Sequence, residues 1–257
     1  MNELELLLTP EYRGLFLCAM FVFGACVGSF LNVCIWRMPL RESIVFAPSH
    51  CTKCNAHISW YDNIPLVSYL VLRGKCRKCK SHYTARYFFI ELITALIFLA
   101  LTALRADSKY AGLPLEFAAA ATFIAVAVID YEHRLIPNKL SYFLIIFALG
   151  WHLMYSESGV RYLIESGAVL LFFGTFAIVG KKIAKRTALG WGDVKLLTAI
   201  AAVFGSFPLI IITGGASIGG IFAGILLAWR HHKKLSGIEI PFGTYLSLIS
   251  LVYLLAI

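Results

Sequence analysis

Residues 113–130 read LPLEFAAAATFIAVAVID, an apolar run that ends on a carboxylate. Between Leu113 and Ile129 the single charge is Glu116, and the run approaches the roughly 20 apolar residues needed to cross a bilayer. Seven more apolar runs lie at about 15–35, 87–104, 140–155, 162–180, 194–206, 208–229 and 240–257. The shorter ones can cross if flanking side chains snorkel or the bilayer thins. Of 257 residues, 60% are apolar and 14% charged, against about 45–50% and about 25% in a soluble domain. This excludes a plain cytosolic enzyme, a disordered tail and a secreted disulfide scaffold. The expected fold is an all-α polytopic membrane protein of about eight transmembrane helices.

The charges fix an orientation. Of the 23 Lys and Arg residues, 19 fall in alternate connections, at 36–86, 130–139, 181–195 and 230–239. The opposite side has Arg13, Arg105, Lys109 and Arg161. Basic loops stay in the cytoplasm, so these connections face inward and both termini face out. The net charge of +9 is therefore read as topology, with no nucleic-acid partner expected. Glu3, Glu5 and Glu11 precede the first run instead of a basic segment, which reads as a retained span and not a cleaved signal. The expected organisation is a first transmembrane helix over 1–35, a cytoplasmic four-cysteine insert over 36–86 and a seven-helix membrane domain over 87–257. The connection Gly205-Ser206-Phe207-Pro208 reads as a tight hairpin turn.

Of seven cysteines, Cys18, Cys26 and Cys34 lie in the first apolar run and read as small buried hydrophobes. The other four form Cys51-x-x-Cys54 and Cys76-x-x-Cys79 in the insert. Two such knuckles suit a tetrahedral zinc site, and a reducing cytoplasm argues against disulfides. Four thiolates close the coordination sphere, so the metal is expected to be structural. It would supply folding energy that so small an insert lacks. A redox dithiol is the rival reading, and His50, His57 and His82 are expected to be solvated or to stand behind the ligands.

The four aspartates are Asp62, Asp107, Asp130 and Asp193. Asp62 reads as a turn residue and Asp107 as an outer-loop residue. Asp130 closes the third run and Asp193 opens the sixth, after Gly190-Trp191-Gly192. By the charge pattern both sit at the cytoplasmic face. Singly, each reads as an interfacial cap, Asp193 helped by the helix dipole. Together, two carboxylates at one depth repel, so they share a proton. That split equips an aspartic protease, where one carboxylate takes a proton from water and the other gives one to the scissile amide. Gly190 and Gly192 allow close approach of substrate, Trp191 is a candidate substrate contact, and Lys195, Glu132, His133 and Arg134 are candidates for positioning.

Taken in order, these motifs resemble those of the bacterial type IV prepilin peptidases, or leader peptidase/N-methyltransferases. The resemblance rests on Gly28-Ser29-Phe30-Leu31-Asn32-Val33 in the first run, the two cysteine pairs with Arg73-Gly74-Lys75-Cys76, and Arg86-Tyr87 with Glu91. It continues through Asp130 with Ile136-Pro137, Gly190-Trp191-Gly192-Asp193-Val194-Lys195, and Pro241-Phe242-Gly243. Three positions depart: Phe88 stands where the family often has Pro, Thr244 where Pro is usual, and Thr52 follows Cys51 in place of the common Pro.

The resemblance implies an inner-membrane aspartic endopeptidase that removes a basic leader from prepilins or pseudopilins, serving pilus assembly, type II secretion or DNA uptake. It makes Asp130 and Asp193 the catalytic pair. It also implies methylation of the new N-terminal amine from S-adenosylmethionine. No Gly-rich nucleotide loop is recognisable, so that cofactor's residues are unassigned, the end of the first span near Asn32 being the first place to look. Two alternatives stay open: a transporter using the same carboxylates as proton carriers, and a zinc-knuckle adaptor with structural aspartates.

Overall fold

The computed structural model describes residues 10–46, 49–105, 110–184, 189–231 and 240–257. Glu3, Glu5, Asp107, Lys109, Lys185, Arg186, Lys233 and Lys234, which enter the reading above, lie outside the described residues. The helices are α1 (Pro10–Arg37), α2 (Val67–Val71), α3 (Arg86–Leu104), α4 (Leu113–His133), α5 (Asn138–Tyr155), α6 (Gly159–Ala184), α7 (Trp191–Phe204), α8 (Ser206–His231) and α9 (Phe242–Ala256). With the short α2 set aside, each apolar run has its helix. Among the described residues, α1, α3, α4, α6 and α8 are long and apolar enough to cross a membrane. α5, α7 and α9 have 18, 14 and 15 residues. At 1.5 Å per residue they extend about 27, 21 and 23 Å, short of the roughly 30 Å hydrocarbon core.

The chain forms two compact units, one up to Phe117 and one from Ala118 onward. In the first, α1 lies against α3 at close range. A Cβ on Gly24 would meet Ala95 Cα at 2.8 Å, and one on Gly28 would meet Glu91 Cα at 2.7 Å. Glycines four apart let two helix backbones touch, and dispersion contacts then bind them without a hydrophobic drive. Phe98 stacks on Phe117 with ring centroids 4.1 Å apart, and Arg105 Nε donates to Glu116 Oε1 at 2.9 Å. Cys34 is buried, but Cys18 and Cys26 are exposed. This corrects their reading as buried residues: α1 packs on one face, and they occupy the face left over.

In the second unit α4 and α7 are the buried helices. Buried residues make up 67% of the α4 span, against 22–33% in the other candidate spans. Ala119, Ala120, Phe123, Ala125 and Val126 are fully enclosed, as are Val194, Leu196, Ala199, Ile200, Ala201 and Ala202 on α7. Such small side chains permit close helix approach. The hairpin turn after α7 is formed as expected: Gly205 has φ +86°, a left-handed value suited to glycine. The turn is sealed by Glu165, whose Oε2 accepts the Ser206 N–H at 2.6 Å while Oε1 accepts Arg161 Nε at 2.6 Å. Beside it, His152 stacks on Tyr162 at 3.7 Å between centroids and lies 3.2 Å from the Val203 carbonyl oxygen.

The α1–α3 crossing carries a clear expectation. Gly28→Ala forces two backbones apart and should destabilise the protein by about 1–3 kcal/mol, the usual cost of overpacking. Thermal melting in detergent checks this, and an unchanged melting temperature would contradict the crossing.

Candidate active site and metal centre

Asp130 sits in the last turn of α4 and is 5% exposed. One of its oxygens is taken up from α9: Thr244 N–H donates to Oδ2 at 2.8 Å, and Thr244 Oγ1 lies 3.1 Å from the same oxygen and 3.1 Å from the Ala127 carbonyl. A Cβ on Gly243 would stand 3.1 Å from that Oδ2. α9 therefore carries a glycine in its first turn, so that its backbone can reach the carboxylate.

Asp193 occupies the first turn of α7, three residues past the N-cap Gly190. Its carboxylate accepts a backbone hydrogen bond from Gly190, satisfying a helix-end donor near the positive pole of the dipole. There is no space for a side chain at Gly190, where a Cβ would lie 2.8 Å from Asp193 Oδ2.

The end of α4 with Asp130, the start of α7 with Asp193 and the start of α9 lie at one end of the second unit, around Ile136. Ile136 organises this end. Its side chain fills the space beside both Gly192 and Gly243, with hypothetical Cβ distances of 3.1 and 2.7 Å. The Ile136-Pro137 pair thus joins the connection after α4 to the starts of α7 and α9. Trp191 is half exposed, with its ring edge 3.9 Å from a Cβ placed on Gly174. Lys195 turns to α5, donating to Asn138 Oδ1 at 2.9 Å with its Nζ 5.2 Å from the Tyr142 ring centroid. Sequence reasoning missed Thr244 as an Asp130 partner. The signal was present, since a Thr at a position where proline is usual restores a backbone donor and adds a hydroxyl.

The four insert cysteines form one cluster. Their sulfurs all lie within 4.8 Å of one another, with Cys51–Cys79 at 3.9 Å and Cys54–Cys76 at 4.0 Å. A tetrahedron with 2.3 Å metal–sulfur arms has edges of about 3.8 Å, so the donor set fits a zinc-sized ion. The two knuckles repeat one geometry. Cys51 N–H donates to Ala56 O and Cys76 N–H to Ser81 O, both at 2.9 Å, while Asn55 and Lys80 close back onto the first cysteine carbonyls at 2.8 and 3.0 Å. Asn55 and Lys80 have φ of +57° and +59°. Backbone N–H groups of Cys79 and Lys78 hold the Cys76 thiol below its ordinary value, since they favour the thiolate.

His50 pairs with His57 and Lys75 with His82 in isolated bridges flanking the knuckles. Asp62 is more than a turn residue. It lies in a 3-10 turn over Trp60–Asn63 and forms a two-nitrogen pair with Arg77, Nη2 to Oδ1 at 2.6 Å and Nε to Oδ2 at 2.8 Å. That bond from Arg77 holds its carboxyl below the usual range. The insert is tied to α3 by Leu66 N–H, which donates to Glu91 Oε2 at 2.7 Å.

Residues 22–105 match the bacterial peptidase A24 N-terminal domain and residues 117–226 match the type IV leader peptidase family. The chain is 33% identical to a prepilin leader peptidase/N-methyltransferase of Stutzerimonas stutzeri, over 93% of this chain and 90% of that one. It is 32% identical to the protein of the same name from Dichelobacter nodosus, over 95% and 91%. A Myxococcus xanthus relative of that name is 36% identical over 85% of this chain, but the match spans 65% of the relative's length. No solved structure matches the chain. The chain belongs to the type IV leader peptidase family.

Metal analysis of the purified protein should find about one zinc per chain, as a closed four-thiolate site binds. Cys76→Ser should lose the metal and lower the melting temperature. Full zinc content in that variant would remove Cys76 from the site.

Proposed function

We propose that this chain removes the leader peptide from type IV prepilins or pseudopilins at the cytoplasmic face of the inner membrane, and then methylates the freed N-terminal amine from S-adenosylmethionine. The observation that carries the cleavage is the convergence of Asp130 and Asp193 at one end of the second unit, each held by backbone donors. Under mutual repulsion the pair retains one proton between them. The ionised carboxylate takes a proton from water, whose oxygen attacks the scissile carbonyl carbon. The protonated one donates to the leaving nitrogen as the C–N bond breaks, and the two carboxyls end with their roles exchanged. Thr244 holds one Asp130 oxygen and leaves the other for this chemistry. Gly190, Trp191, Gly192 and Lys195 form the adjoining substrate-positioning surface.

The zinc held by Cys51, Cys54, Cys76 and Cys79 braces the insert and takes no part in the hydrolysis. α5, α7 and α9 complete eight crossings, with the 19 basic residues of the alternate connections inside and both termini outside. The division into a first helix over 1–35, an insert over 36–86 and a seven-helix peptidase domain over 87–257 follows from that topology.

Asp130→Asn and Asp193→Asn should each abolish leader removal, read by mass spectrometry of a co-expressed prepilin, with membrane insertion unchanged. Normal processing in both variants would end the proteolytic reading. Thr244 gives a milder test. Thr244→Val keeps the backbone donor but removes the hydroxyl from Asp130 Oδ2 and should lower turnover about tenfold, the usual cost of losing a hydrogen bond to a charged group. Unchanged turnover in that variant would show that Asp130 needs no hydroxyl anchor.

A further inference from the structure

The short helix α2 carries apolar side chains that no core receives. Val67, Leu70 and Val71 are each more than half exposed, and their i, i+3, i+4 spacing puts them on one face. Trp60, in the 3-10 turn before α2, is exposed as well. Ser68 Oγ donates to the Tyr61 carbonyl at 3.1 Å, which joins that turn to the helix. The other side of α2 is occupied. Ser68, Tyr69 and Leu72 line a cavity of about 360 Å³ that the end of α1 and the start of α3 also border. α2 is thus a wall, with one side turned to the cavity and an apolar side turned out. Grouped apolar exposure of this kind marks an interaction surface.

The bonds of the insert fix where that surface lies. α3 has 19 residues, about 28 Å at 1.5 Å per residue, so nearly its whole length is needed for a hydrocarbon core of roughly 30 Å. Arg86, its first residue, then stands at the membrane boundary. Glu91 lies five residues further in, about 7.5 Å along the axis, and its Oε2 accepts the Leu66 N–H at 2.7 Å. α2 begins at the next residue. Its Tyr69 ring lies 5.4 Å from that of Phe88, which lies 5.8 Å from that of the exposed Phe89. The apolar surface of α2 is therefore continuous with the lipid-facing surface of α3, at the depth of about 5–10 Å where interfacial helices rest.

Charge selects the lipid. Between Asp62 and Glu91 there is no acid, and Arg73, Lys75, Arg77, Lys78, Lys80 and Arg86 all fall in that interval. Cations beside a membrane favour anionic headgroups, and an exposed tryptophan suits the same interface. We infer that the insert docks on an anionic phospholipid leaflet through Trp60, Val67, Leu70 and Val71, with the basic stretch after α2 meeting the headgroups. Lipid then covers the outer side of the cavity wall. The inference rests on α3 crossing the bilayer, as proposed above.

The test is photocrosslinking of the full-length protein, with p-benzoylphenylalanine placed at Leu70, at Val71 or at Leu96 in the middle of α3. Each protein is irradiated in nanodiscs of phosphatidylethanolamine with phosphatidylglycerol, and in nanodiscs of phosphatidylcholine. Adducts are read by mass spectrometry, and melting temperature establishes that each protein is folded. If one of the two α2 proteins does not fold, the other decides. Both α2 positions should give lipid adducts, with a yield about threefold or more higher in the anionic discs, while Leu96 gives them equally in both. Lipid adducts at Leu96 with none at α2 overturn the docking and leave the span standing. A crosslinked dimer from α2 in place of lipid overturns it by assigning the face to a second copy. Equal α2 yields in the two discs overturn the anionic partner. No lipid adduct at Leu96 overturns the spanning reading of α3 and the docking with it.

Discussion

A carboxylate at the end of a buried helix has to be met by protein donors, because the water that would otherwise solvate it is excluded. Both acids of the second unit obey that constraint, and much of the surrounding design follows from it. Asp130 is reached by the Thr244 N–H and hydroxyl, and Asp193 by the backbone of Gly190. Each donor belongs to the first turn of a helix or its cap, where N–H groups lack partners within the helix. To bring those groups near, the sequence uses Gly190 and Gly243 where a Cβ would crowd the carboxylates. It uses Ile136 to set the spacing between the segments. Phe123 on α4 and Phe204 on α7 meet with ring centroids 6.2 Å apart, a further tie between the helices that carry the acids.

The first unit solves a different problem with a different means. Between α1 and α3 lies a polar insert whose helical pieces are four and five residues long. Neither piece has a buried residue, so no apolar core can define the segment. Two knuckles with matching backbone hydrogen bonds gather four thiolates instead, and the Asp62–Arg77 pair and the Leu66–Glu91 bond attach the flanking turns. Leu66 adopts φ +63° to make its bond, an uncommon conformation for a branched side chain. The Leu66 N–H held by the partly buried Glu91 carboxylate anchors this turn of the insert to α3.

Patterns that depend on local chemistry were legible in the sequence. Each of the eight apolar runs became a helix, five of them among the described residues long enough to cross a membrane, the Gly205 turn formed as expected, and the paired cysteines met. What escaped depends on partners distant in the chain. Nothing local distinguishes Cys34, which is buried, from Cys18 and Cys26, which are not; only the face that α1 turns to α3 decides. Lys195 invites assignment to the neighbouring acid, yet its side chain runs to Asn138, 57 positions away. Thr244 reaches Asp130 across 114 positions. The amide of Asn32 is likewise oriented by the carbonyl of Tyr87, a residue 55 positions later.

Helix length carries one consequence further. α7 is about 21 Å long at 1.5 Å per residue, and its far end is sealed by Glu165 on Ser206. On the eight-crossing reading, that far end lies at the outer interface. A hydrocarbon core of roughly 30 Å then leaves Asp193 about 9 Å short of the inner interface, if the bilayer does not thin. Local thinning over a short helix reduces that gap at modest cost. On that reading the 14-residue length of α7 sets the depth of Asp193, which stands in its first turn.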